Sequence, residues 1–430
     1  MFNIKLLYSC ILFISVILFV SCKNDNENIV DLHTLDDITM LSSKYIRTKV
    51  GTPVQFSLQV PTSDSITYTW IFNKEIFSTK RNPIKIFNAP GTGYVTVILK
   101  NSSGGEKVLA TKLFIAKNKD MKLLSYYPSY QKYDDNKAIW DKLTHICLSF
   151  GVVNAEGTVD LTAVKNNSML NIVNDAHFVG VNVLLCIGGG SGANADSTYG
   201  FTKAILNTSI RTSLINNLIR ILQENDLDGI DVDYEHWQGG ITNTNKQRSA
   251  ALKAFYQELN IALHSKNYSL SASVSNNNIR NGYVDSSMIE YLDFVNFMLY
   301  DNVGNNVGSM ASWSFFVNSI STAINKNIPK NKILAGIPFY GILFPNAPST
   351  SGSSEVLYKD IVLKYPGAEN KDAIEGKYIY YDGIPTVNQK TQYVIDNQLA
   401  GVMIWEITQD SDNSTKSLLN AIDGLLKISN

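Results

Sequence analysis

Charge is scarce in this chain. Only 17% of its 430 residues are Asp, Glu, Lys or Arg, and 37 basic residues face 38 acidic ones. So even a balance leaves no electrostatic footprint for a phosphate backbone, and no nucleic-acid partner is expected. Cysteine is scarcer still, at four. Cys10 and Cys22 lie near the N-terminus, and Cys147 and Cys186 sit in apolar runs. Two cysteines in the body make no disulfide framework, and both read as buried free thiols. The run Gly188-Gly189-Gly190 lacks the spacing of a phosphate-cradling loop and reads as a tight turn. With no cluster of metal-ligand spacing either, neither a metal nor a cofactor is expected. What is plentiful is aromatic and polar: 22 Tyr and 10% aromatic residues. Such a surface suits a neutral, hydroxyl-rich ligand.

The N-terminus reads as a targeting segment. Lys5 precedes the apolar stretch Ile11 to Val20, too short for a bilayer, which takes about 20 apolar residues. Ser21-Cys22 follows, resembling the lipobox of bacterial lipoproteins. The resemblance implies a signal peptide over 1–21, acylation of Cys22 and attachment to a membrane. Lys23, rather than Asp, after the cysteine implies the outer membrane. Residues 22–40 are polar and acidic and read as a tether.

From 41 to 118 the pattern is all-β. Val54, Phe56, Leu58 and Val60 alternate with polar residues, as do Ile66, Tyr68, Trp70 and Phe72, and again Val95, Val97 and Leu99 after the Pro90-Gly91 turn. Alternation with such turns predicts a small sandwich with Trp70 in its core. The stretches YTWIFNKE and APGTGYVTVILKNSSGG resemble a PKD-type immunoglobulin-like module, which implies a spacer.

From 120 to 428 the rhythm changes to apolar runs alternating with amphipathic stretches. Strands are predicted at Leu123–Tyr127, His145–Phe150, Val181–Ile187, Gly229–Tyr234, Ser269–Val274, Phe294–Tyr300, Ile333–Tyr340 and Val402–Ile407. Helices are predicted around 203–224, 246–263, 313–326, 386–397 and 415–427. Eight such strands in an α/β chain predict a (β/α)8 barrel rather than an open doubly wound sheet. Each domain has its own apolar set, so 120–430 is expected to fold alone. Trp140 and His145 read as structural residues of the barrel.

The strongest chemical signal is LDGIDVDYEHW, 227–237. Asp231, Asp233 and Glu235 are two apart, so on a strand they share a face, while Ile230 and Val232 take the other. Three carboxylates climbing one interior face toward the C-terminal rim cannot all ionise freely. Glu235, nearest the rim, is best placed to hold a proton and donate it. A calcium loop starting at Asp231 would need Gly at its sixth place and Glu at its twelfth, where His236 and Thr242 stand.

Asp228, Asp231, Asp233 and Glu235 together match DxxDxDxE, and the domain resembles glycoside hydrolase family 18. LLSYYP (123–128), LTHICLSF (143–150), CIGG (186–189), FMLYD (297–301), GIPFYG (336–341) and GVMIWEI (401–407) resemble that family's strands in order. The resemblance implies a retaining, chitinase-like hydrolase of β-1,4-linked N-acetylglucosamine that uses the substrate's own 2-acetamido group as nucleophile. It implies these roles: Glu235 the acid; Asp233 the holder of the acetamido N–H; Asp231 its proton-sharing neighbour; and Tyr300 a donor to the acetamido oxygen. Met298, Asp301, Tyr126, Trp405, Trp237 and Trp313 are implied as substrate contacts, and Asp228, out of phase with the ladder, as a brace.

The chain also departs from the family. Cys186 replaces a small hydroxyl residue, Ile342 replaces an Arg, and His236-Trp237 replaces an aromatic-Pro pair. The short stretch from Gly341 to Tyr378 shows no sizeable insertion and implies an open cleft and endo-cleavage. An N-glycan-cleaving endo-β-N-acetylglucosaminidase and a non-catalytic glycan binder remain open alternatives. An intact Glu235 speaks against the binder.

Overall fold

A computed structural model describes residues 35, 38–40, 45–59, 66–133, 139–189, 195–237, 242–304 and 306–428. The expected signal segment and Cys22 lie outside them, but the end of the expected tether does not: Leu35 and Ile38 are buried in the core of the N-terminal sandwich, and Thr39–Met40 pairs with Leu58–Gln59. Eight parallel strands close into a barrel: β1 (Lys122–Pro128), β2 (His145–Val153), β3 (Asn182–Gly188), β4 (Gly229–Asp233), β5 (Ser269–Ser275), β6 (Phe294–Met298), β7 (Ile333–Pro338) and β8 (Gly401–Trp405). Neighbours pair in sequence order, and β1 joins both β2 and β8. Every predicted barrel strand is present within a few residues.

The surrounding layer includes α1 (Met169–Phe178), α2 (Ala195–Leu206), α3 (Thr208–Glu224), α4 (Asn243–His264), α5 (Trp313–Asn325), α6 (Ile384–Asp396) and α7 (Leu418–Ile428). Leu252, Phe255, Leu259 and Leu263, at helical spacing on α4, are buried against the barrel. The Thr242 side chain caps that helix by accepting from Asn245 N–H. The strands divide their side chains by parity. Ile230 and Val232 join the core between barrel and helices, whereas Tyr126, Cys186 and Met403 join a separate interior cluster.

One connection overturns a sequence expectation. Between β7 and α6 the chain builds a four-stranded antiparallel sheet from Tyr340–Leu343, Ser354–Leu357, Ala373–Ile374 and Ile379–Tyr380, with a helix at Tyr358–Lys364. An α+β insertion is therefore present, and the open cleft and endo-cleavage expected from its absence lose their basis. Its strands have only two to four residues, too few for alternation to register in the sequence.

The N-terminal domain is strand-rich, as expected. Tyr45–Lys49, Glu106–Ala116, Gly91–Lys100, Thr67–Phe72 and Glu75–Ser78 lie in that order in one sheet, and Pro53–Gln55 pairs with Ile84–Ile86 in a second. Trp70, Phe56, Val95, Val97 and Leu99 form its own core. The apolar cores of the two domains are separate, but their surfaces meet at the N-terminal face of the barrel. Among the described residues no helix is long and apolar enough to cross a membrane.

Candidate active site

The site is built around Asp231, which is fully buried in the barrel. One oxygen accepts from Ser271 Oγ at 2.6 Å and Asn296 Nδ2 at 2.9 Å. The other accepts from Tyr126 Oη at 2.8 Å, Cys186 Sγ at 3.1 Å and Ser273 Oγ at 3.2 Å. These donors come from β1, β3, β5 and β6. Fixed donors of this kind offset the cost of burying a carboxylate. One signal for the serines is local: in SLSASVS, Ser271 and Ser273 alternate with Leu270, Ala272 and Val274, so the polar face of β5 turns inward. Asn296, a lone amide in an apolar strand, is fully buried beside Asp231.

Asp233 lies one step higher. Its Oδ1 is buried with no hydrogen-bond partner among the described residues. Burial first, then Glu235 and Asp231, push its carboxyl well above the usual range. Glu235 follows the end of β4. Solvent reaches its side chain, yet the protein wall around it, and then Asp301, raise its pKa as well. Both upper steps of the ladder therefore hold a proton more tightly than a free carboxyl.

A glycine turn sets this height. Gly188 has φ +110°, and a Cβ there would lie 2.0 Å from the Asp233 carbonyl oxygen. Gly189 N–H donates to that same oxygen at 2.8 Å. The end of β3 therefore presses against the backbone of the ladder at a distance that no side chain permits.

Tyr300 and Asp301 close one side of the site. Tyr300 is 8% exposed, and its hydroxyl lies 3.6 Å from Met403 Sδ. Burial, followed by Asp301, raises its pKa well above 10, so it stays a donor. Asp301, at φ +58°, accepts the Tyr340 hydroxyl at 2.5 Å. Met298 is half-buried against the same interior cluster.

Trp405, at the end of β8, is half-buried over Tyr126, with ring centroids 5.2 Å apart. Phe150 lies beside it at 6.0 Å, near-parallel at 28°. The Ser149–Phe150 and Trp405–Glu406 peptides are both cis.

Three expected substrate contacts take other places. Tyr126, expected to touch substrate, is only 1% exposed and holds Asp231 from beneath Trp405. Trp237 stacks on Tyr283 at 4.8 Å and donates its indole N–H to Tyr234 O, packed with the core outside the barrel. Trp313 opens α5 and packs on Phe316 and Tyr393 in the same outer layer. Their positions near strand ends did not reveal which core they join.

Asp228, expected as a brace, sits at the opposite end of β4. It accepts from His177 Nε2 at 2.7 Å, Val183 N–H at 2.7 Å and Arg47 Nε at 3.1 Å. Both thiols of the barrel are buried and free. Among the described residues no group of His, Cys, Asp or Glu is arranged to hold a metal.

Comparison with known proteins agrees with the fold. The model of glycosyl hydrolases family 18 matches residues 122–410, and the PKD domain model matches 42–111. Probable chitinase 10 of Drosophila melanogaster is 25% identical over 67% of this chain, which spans 15% of that protein's length. The class V chitinase of Lotus japonicus is 25% identical over 67% of the chain and 82% of its own length. A crystal structure of a chitinase from Bacteroides thetaiotaomicron superposes with a TM-score of 0.61 at 28% identity, covering 70% of this chain and 96% of that one.

Proposed function

Because the chain belongs to glycosyl hydrolases family 18, we propose that it cleaves β-1,4-linked N-acetylglucosamine chains with retention, by substrate-assisted catalysis. The observation that carries the reading is the ordered ladder of Asp231, Asp233 and Glu235, walled by Tyr300 and Trp405. The protein wall around Glu235 and then the charge of Asp301 raise its affinity for a proton, which suits it to protonate the glycosidic oxygen. The raised pKa of Asp233 lets it carry the proton shared with Asp231 at first and ionise as positive charge grows on the neighbouring ring.

Tyr300 presents a hydroxyl to the acetamido oxygen, holding that oxygen in line with the anomeric carbon. The indole face of Trp405 offers a floor for the apolar face of one sugar. Bond making and breaking then balance without an external nucleophile. The acetamido oxygen attacks C1, the glycosidic C–O bond breaks, and its oxygen leaves with the Glu235 proton. Water then opens the resulting oxazolinium ring as Glu235 takes a proton back.

Incubation with N-acetylglucosamine oligomers and, separately, with an N-glycosylated protein tests the substrate. Cleavage of the oligomers is expected. Release from the glycoprotein alone would transfer the same site to the N-glycan core, and product from neither would mark a glycan binder. We further propose that a lipid on Cys22 holds the protein at the outer membrane. The Cys22→Ala variant is then expected in the soluble fraction, and its persistence in carbonate-washed membranes would refute the anchor.

A further inference from the structure

The foot of β4 is gripped from outside the barrel. Asp228, the residue before β4, is 3% exposed, and its backbone and side chain tie three strands at their starts. Its N–H donates to Val183 O at 2.8 Å, its carbonyl accepts from Ser269 N–H at 2.9 Å, and its carboxylate takes Val183 N–H.

Two further groups complete this carboxylate, and both lead into the sandwich. Arg47, from the strand Tyr45–Lys49, donates through Nε to Asp228 and through Nη2 to Leu227 O at 2.9 Å. Its guanidinium lies between the rings of Tyr45 and Tyr268, 4.1 and 4.6 Å from their centroids. His177, from α1, faces Asp228 with Nε2, and its Nδ1 lies 3.3 Å from the Tyr45 hydroxyl. Phe114 of the sandwich stacks on the same imidazole at 4.2 Å.

The contact extends on both sides. Lys112 pairs with Asp226. Gly180 leaves so little space that a Cβ would lie 2.4 Å from Pro90 and 2.9 Å from Ile115 O. Lys117, in the link between domains, donates its backbone N–H to Gly180 O at 2.9 Å and its ammonium to Asp141 O at 2.6 Å. Separate apolar cores suggest separable domains; this buried, charge-bearing seam does not. Removing one partner of a buried ion pair leaves the other charge uncompensated.

We propose that the sandwich is the mount of the catalytic strand, and that Arg47 is a positioning residue that fixes the height of the acid ladder through Asp228. The strand is the lever. Arg47 and His177 hold its foot, and its other end carries Asp233 and Glu235. For its effect on turnover the inference rests on the proposed hydrolase activity; for its effect on the strand it does not.

Hydrogen exchange on the full chain separates the two. In Arg47→Met, amides of 227–235 and their neighbours in β3 are expected to exchange at least tenfold faster, with α6 and α7 unchanged. In the same variant kcat is expected to fall about tenfold at a KM within twofold of wild type. Arg47→Lys, which keeps the charge and one donor, should restore part of both. If Arg47→Met loses its fold, the graded local pattern in Arg47→Lys still carries the proposal.

Three results would overturn it: unchanged exchange at 227–235, equal acceleration throughout the barrel in both variants, or local loosening with wild-type kcat. A wild-type protein inactive on oligomers refutes the proposed function, while the exchange pattern still decides the mount.

Discussion

Glu235→Gln is expected to lose turnover by at least about 10²–10⁴-fold, the usual worth of a general acid, while still binding N-acetylglucosamine oligomers. The amide keeps the shape of the acid and has no proton to give. The same change is expected to stabilise the protein at neutral pH. The protein wall around Glu235 and then Asp301 raise its pKa in the fold, although solvent reaches the side chain, and the charge of Glu235 is the second cause, after burial, that raises Asp233.

A carboxyl with a raised folded pKa binds its proton more tightly folded than unfolded. Its contribution is complete below the ordinary value of about 4.3 and is lost as pH rises through the folded value. Wild type therefore carries a penalty near neutrality that the Gln variant lacks. The Tm of Glu235→Gln should exceed wild type at about pH 7 and converge with it near pH 4. Turnover within a few-fold of wild type, or a lower Tm at neutral pH, would contradict the role of Glu235 and the strain assigned to it.

The second large effect changes no titrating side chain and is expected in Gly188→Ala. A methyl at this position meets the Asp233 carbonyl at 2.0 Å, and φ +110° is a region L residues rarely adopt. The backbone conformation alone costs of order 1–3 kcal/mol. Relief requires β3 and β4 to part where Gly189 N–H and Asp233 O now bond at 2.8 Å. A displacement of about 1 Å at a reacting group costs on the order of 10² in rate. The variant is expected to show a lowered Tm and a kcat down about 10²-fold. Near-normal kinetics would mean that the height of the ladder does not depend on this contact.

Both effects were partly legible in the sequence. The ladder stood out because a period of two fixes its face, and the apolar Ile230 and Val232 fix the opposite one. The glycine run was legible as a turn beside the site, but its contact joins two strands, and no local pattern reports it. The donors to Asp231 were legible only in part. Ser271 and Ser273 alternate visibly, whereas the resemblance cast Tyr126 as a substrate contact and the barrel interior turns it toward Asp231.

Trp237 and Trp313 show a related limit. An aromatic near a strand end packs inward or outward according to the path of its loop, and the sequence does not encode that path locally. The insertion after β7 stayed hidden because its strands are very short. The seam at Asp228 was invisible for a different reason: Arg47 and Asp228 are 181 residues apart and belong to different domains.

The proposed reaction is hydrolysis of N-acetylglucosamine chains with the substrate's acetamido group as nucleophile. Proton NMR of the first product released from an N-acetylglucosamine hexamer decides it. The new reducing end is expected to appear as the β-anomer and to drift toward the α/β equilibrium by mutarotation. First release of the α-anomer would require direct attack by water and would contradict the roles given to Asp233 and Tyr300. No product at all would contradict the hydrolase itself.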